Sequence, residues 1–142
     1  MRALILIALT LPAAAQAAPK VNPGQWQATT TIESATMPGV PPEALAMMKG
    51  RPTTVTYCLT PEEAEADPEK MLGGDKSCKV DRFSLTDGTI DAAMTCKTDQ
   101  GPATMTMKGT YTADSYTMAS TMKSGPMTMA SRMTARRLGP CK

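Results

Sequence analysis

From residue 103 to the C-terminal end, methionine alternates with threonine and serine at a period of two. Met105 and Met107 fall on one side of their segment, as do Tyr116, Met118 and Met122 in the next, and Met127, Met129 and Met133 in the last. A helix repeats its apolar side every three or four residues, whereas a strand does so every second residue. These segments therefore read as strands with one packed face. The turns between them agree: Ala113-Asp114-Ser115 separates residues 103–111 from 116–123, and Gly125-Pro126 leads into 127–136.

Upstream, Asp87-Gly88 joins 78–85 to 89–96 in the same way, since the dipeptide suits a tight hairpin. One feature of this hairpin is unresolved by alternation. Cys78 and Val80 share a side with Ile90, Ala92 and Met94, while Phe83 and Leu85 fall on the other. Either a bulge near Asp81 turns Phe83 inward, or both faces are partly covered. Two further strands are expected at 25–34, opened by Trp26, and at 53–59, both rich in threonine.

Two short helices interrupt the strands. Pro41-Pro42-Glu43 starts one, Leu45, Met47 and Met48 give it an apolar side, and Gly50 can end it. Thr60-Pro61-Glu62-Glu63 starts the other with the residues of a capping box, and Gly73-Gly74 is its expected limit. The fold class is mainly β: an antiparallel meander of about seven strands forming a small barrel or half-barrel, with two short helices.

The first seventeen residues read as a signal peptide. Arg2 precedes a short apolar run, Pro12 breaks it, and Ala15-Gln16-Ala17 is the small-x-small pattern for cleavage. Residues 18–142 then form a single secreted β-rich domain that does not span a membrane, and the expected location is the periplasm. Without Arg2 the 15 basic and 13 acidic residues leave a net charge of +1, with no basic block to hold nucleic acid. The chain is methionine-rich: twelve Met follow residue 17, against one Phe and one Trp. A core built from Met, Ala and Thr is soft, because Met specifies packing poorly.

Four cysteines in an exported domain of this size imply two disulfides, for which three pairings exist. Cys78 and Cys96 are equally far from Asp87 and face each other across its hairpin. Cys58 and Cys141 are then left for each other. No CxxC spacing is present, which argues against a zinc site.

The absence of histidine excludes Ser-His-Asp and Cys-His catalysis and the common zinc hydrolase centres. Glu62, Glu63, Glu65, Asp67 and Glu69 cluster on the capped helix as a solvated face, and Asp81 and Asp91 lie near each other across a hairpin. An enzyme is not expected, nor a cofactor. The first expectation is a binding module for an apolar small molecule, with Leu45, Met47, Met48, Met118 and Met129 as contacts. The alternative is Cu(I) held by thioethers, with Met105, Met107, Met127 and Met129 as donors. A third reading is an envelope protein acting through contact with another protein, marked by an exposed apolar patch at Met47 and Met48.

Pro23-Gly24-Gln25-Trp26, the segment Cys58-Leu59-Thr60-Pro61-Glu62-Glu63, Gly109-Thr110-Tyr111 and the closing Gly139-Pro140-Cys141 together resemble a proteobacterial secreted family described only as a domain of unknown function. The resemblance covers nearly all of residues 18–142. It implies a periplasmic β-rich protein and no site residues. A weaker likeness is to the lipocalins, which also open on Gly-x-Trp and pack a late arginine over that tryptophan. Gly24, Trp26 and Arg136 or Arg137 would take those parts here.

Overall fold

The computed structural model describes residues 20–66, 77–99 and 101–142; the expected signal peptide and the Gly73-Gly74 helix limit lie outside them. Among the described residues, seven strands and two short helices follow one another as β1 (Gly24–Thr36), α1 (Pro42–Met48), β2 (Pro52–Leu59), α2 (Pro61–Glu65), β3 (Cys78–Thr86), β4 (Thr89–Thr98), β5 (Gly101–Tyr111), β6 (Ser115–Ser124) and β7 (Met127–Gly139). Thus every segment with a period of two is a strand, and both proline-led starts are helices.

All pairings are antiparallel, and the sheet order is β2-β1-β7-β6-β5-β4-β3. Consecutive strands are neighbours except for β2 and β3, and β1 also pairs with β7. Only the link between β2 and β3 is missing. The sheet is therefore a meander barrel left unclosed between its second and third strands, the half-barrel form of the expected fold.

Local chemistry explains the turns and caps. Asp87 and Gly88 both have positive φ, 50° and 74°, the backbone a tight β3–β4 hairpin needs. Thr60 caps α2: its hydroxyl accepts the Glu63 N–H at 3.2 Å, while the Glu63 carboxylate accepts the Thr60 N–H at 2.9 Å. The Thr60 N–H, and then the Thr60 hydroxyl at 3.0 Å from the same carboxylate, hold the Glu63 carboxyl below its ordinary pKa.

The β3–β4 hairpin carries the bulge. Val80 pairs with Met94 and Arg82 with Ala93, so Asp81 is the extra residue. Phe83 then pairs with Ala92 and Leu85 with Ile90, which puts both on the side of Val80. The first of the two alternatives left by alternation is thus the observed one.

Both expected disulfides are present, Cys58–Cys141 and Cys78–Cys96, and no cysteine is free. Two disulfides point to an oxidising, extracytoplasmic setting. Among the described residues, no helix is long and apolar enough to cross a membrane.

Candidate functional site

Side chains alternate across each strand, so the pairing registers sort the whole sheet into two faces. One face carries threonines and ion pairs. There Arg82 donates to the Asp91 carboxylate at 2.6 Å, Lys108 approaches the same group at 3.5 Å, and Arg132 meets Glu33 at 2.7 Å. The Arg82 hydrogen bonds hold the Asp91 carboxyl below its usual range. Asp81 instead accepts from the Thr95 hydroxyl at 2.6 Å. The two aspartates thus have separate partners and do not form an acid–base pair.

The other face is that of Trp26. On it stand Tyr57 from β2, Met129 and Met133 from β7, Met118 and Met122 from β6, Met105 and Met107 from β5, Ile90 and Met94 from β4, and Phe83 and Leu85 from β3. Register places one charged side chain among the described strand residues of this face, Arg137, the cross-strand partner of Trp26.

The sheet curls toward this face. Tyr57 and Tyr116 sit on β2 and β6 with two strands between them, about 14 Å apart in a flat sheet, yet their hydroxyls are 3.5 Å from each other. Trp26 stacks on Tyr116 across β7, with ring centroids 6.1 Å apart. Burial pushes the Tyr57 phenol pKa upward, and the hydroxyl of Tyr116 adds to the shift, so Tyr57 is a neutral hydrogen-bonding group here.

One end of the curl is closed. Trp26 is 1 % exposed and packs with Ala28 and Ala135, flanked by Val21, Tyr57, Leu59, Tyr116 and Met133. Its indole N–H donates to the Asn22 carbonyl at 3.1 Å. Asn22 reaches the β5–β6 turn through its N–H to the Ala113 carbonyl at 2.8 Å, and its side chain donates to Asp114 at 3.0 Å. Arg137 completes the closure: its Nε donates to the Pro23 carbonyl at 2.7 Å, and its backbone N–H donates to the Asp114 carbonyl at 2.9 Å. Of the two candidate arginines, Arg137 therefore lies on the tryptophan side, and Arg136 points to the other face beside Gln27.

Gly24 makes this closure possible. Its φ is +141°, and a Cβ there would strike the Gly139 carbonyl and the Arg137 guanidinium. Gly24→Ala is expected to loosen Arg137 and lower the melting temperature, whereas Gly39→Ala, with open space around it, costs backbone strain alone. Melting curves of the two variants make the comparison; equal losses would contradict the close approach at Gly24.

Away from the closed end, the face is only partly covered. Met105, Met118, Met122, Met127, Met129 and Met133 are half-buried, as are Phe83, Leu85 and Ile90. A groove of about 340 Å³ opens at the far end, lined by Thr98, Asp99, Ala103, Met122, Ser124 and Met127.

The structure distributes the expected contacts unevenly. Met118 and Met129 lie on the Trp26 face as half-buried side chains. Leu45 is half-buried on α1, but Met47 and Met48 are 61 % and 39 % exposed. α1 has no buried residue and is tied to β1, where the Gly50 N–H donates to the Ile32 carbonyl at 3.0 Å. The candidate thioether donors fall in two places: Met105 and Met107 on β5, Met127 and Met129 on β7, with β6 between. Met122 fills that space as partner of both Met105 and Met129, and Met94 pairs with Met105 on the other side. The sequence placed both on strand faces without marking either as a donor. The signal was there, since a hairpin pairs positions whose numbers have a constant sum, but three hairpins had to be registered together to see it.

Among the described residues, no three His, Cys, Asp or Glu side chains gather as a metal site. A family model described as a protein of unknown function (DUF3617) matches residues 21–141. No curated protein and no solved structure matches the chain.

Proposed function

The chain belongs to the DUF3617 family, and for it we propose a non-catalytic periplasmic module that binds an apolar small molecule on the Trp26 face of its sheet. One observation carries this reading: beyond the closed end that holds Arg137, a curled face rich in Met, Phe, Leu and Ile is only partly covered. Apolar surface of that extent is ordinarily covered by something. Methionine suits an adaptable contact because its three rotatable bonds and polarisable sulfur fit varied shapes. The closed Trp26 end is a floor, and the groove at Met122 and Met127 is the way in. With no histidine and no free thiol, and with Arg137 engaged at the closed end, the polar groups this face offers a ligand are hydroxyls.

A neutral naphthylamine dye, whose emission rises in apolar surroundings, tests the reading. Saturable binding of one dye per chain is expected, weakened at least about tenfold when Met118→Lys and Met129→Lys place charges on the face. Near-ultraviolet circular dichroism checks that the variant is folded. Absence of saturable binding, or binding indifferent to the two lysines, would refute it.

The exposure of Met47 and Met48 favours a second reading, contact with another envelope protein through α1. Met47→Ser with Met48→Ser separates the two: dye binding is retained under the contact reading and weakened if α1 closes over the ligand.

A further inference from the structure

The registers of β4 to β7 bring four methionines into one continuous row. Met94 pairs with Met105, Met105 with Met122, and Met122 with Met129; Val80 precedes the row on β3 and Ala35 follows it on β1. Directly opposed residues in an antiparallel sheet have Cβ atoms about 4.5–5.5 Å apart. The methionine sulfur stands two bonds beyond Cβ and is aimed by two torsions, so sulfurs from adjacent strands can meet over the middle strand. Met94 is nearly buried at 9 % exposure, whereas Met105, Met122 and Met129 are half-exposed. Met122 also lines the open groove, which gives an ion a route to the row.

We propose that Met105, Met122 and Met129 form a three-sulfur site for Cu(I). Thioethers are soft, neutral donors that select Cu(I) over cations preferring oxygen ligands. Neutral donors leave the full positive charge on the bound ion, so a nearby cation would oppose binding. The strand residues of this face supply none at that end: Arg137 stands eight residues along β7 from Met129, about 27 Å of strand, and is engaged by Pro23 and Asp114. Asp99 at the rim of the groove has the favourable sign. A purely packing role for the row would place these side chains in a closed interior, where strands usually employ β-branched residues; here three of the four are open to solvent in part.

The site is distinct from the apolar-ligand reading, because leucine can replace methionine in the latter and not in the former. Cu(I) is generated with ascorbate under anaerobic conditions, leaving the disulfides intact, and is offered as its coloured bicinchoninate complex. The protein is expected to withdraw one equivalent, with an all-sulfur first shell by X-ray absorption. Met122→Leu, a volume-conserving change, weakens binding at least about tenfold, as do Met105→Leu and Met129→Leu. Met118→Leu, off the row, binds as the parent does. Copper withdrawal and dye binding are measured separately on the parent protein, so failure of one reading does not pass to the other. Withdrawal of no copper, a first shell of oxygen or nitrogen, or parent-like binding by Met122→Leu would each overturn the proposal.

Discussion

Replacing Cys58 and Cys141 together by serine is expected to cost about 4.5 kcal/mol of unfolding free energy, against about 3 kcal/mol for the same change at Cys78 and Cys96. The difference follows from chain entropy. The first bridge closes a sequence separation of 83 residues, the second one of 18. The longer loop is the greater restriction on the unfolded chain. Position reinforces the order. Cys78 and Cys96 are direct partners in a hairpin whose turn already brings them together, whereas Cys58 lies on the edge strand β2 and holds the exposed C-terminal tail to it. Urea unfolding of the two double-serine proteins measures both costs. If the Cys78–Cys96 variant proved the less stable of the two, the loop-entropy account of this fold would be wrong.

Trp26→Ala is expected to remove about 3–5 kcal/mol, within the usual range for emptying a large buried site. Trp26 is the one large side chain among the described residues with almost no exposure, and the small side chains of Ala28 and Ala135 around it cannot collapse to fill its volume. The change also removes the stacking on Tyr116 and the indole donor to the Asn22 carbonyl. Set against a total stability of about 5–15 kcal/mol for an ordinary domain, this is a large part of the whole. For a domain of this size it corresponds to a fall in melting temperature of about 12–20 °C. Trp26→Phe, which keeps a ring, should lose clearly less. A loss under about 1 kcal/mol for the alanine variant would show that the cohesion of the sheet lies elsewhere, in the methionine rows.

Much of the fold was readable because its strongest signals are local. The Asp87-Gly88 turn sets the β3–β4 register as far as Arg82, and the bulge at Asp81 then shifts it by one residue to place Cys78 opposite Cys96. The alternation of Met with Thr reports directly on which side of β5, β6 and β7 is packed. Thr60 and Glu63 announce a capping box that the structure contains. What local signals do not carry is the neighbour of β1. Its pairing with β7, from Gln25 with Gly139 to Thr36 with Thr128, includes irregularities at both ends that no turn residue foretells. The bulge between Ile32 and Ser34 frees Glu33 to meet Arg132, and that between Gln25 and Trp26 leaves Leu138 exposed. The methionine row was hidden for the same reason, since Met94 and Met122 acquire meaning only through their partners on other strands. On α1 the apolar side expected from the sequence is divided, with Leu45 half-buried while Met47 and Met48 are exposed.

The pairing of the first strand with the last also has a temporal consequence. Synthesis makes Pro23 and Trp26 well before Arg137, whose guanidinium bonds to Pro23 over a separation of 114 residues. The floor under the curled sheet therefore cannot assemble until β7 has been made, however long β1 and β2 wait as a pair. Contacts between such distant positions form slowly, because a long loop must be closed before they contribute. A sheet built this way keeps its Trp26 end open until the strand that carries Arg137 exists.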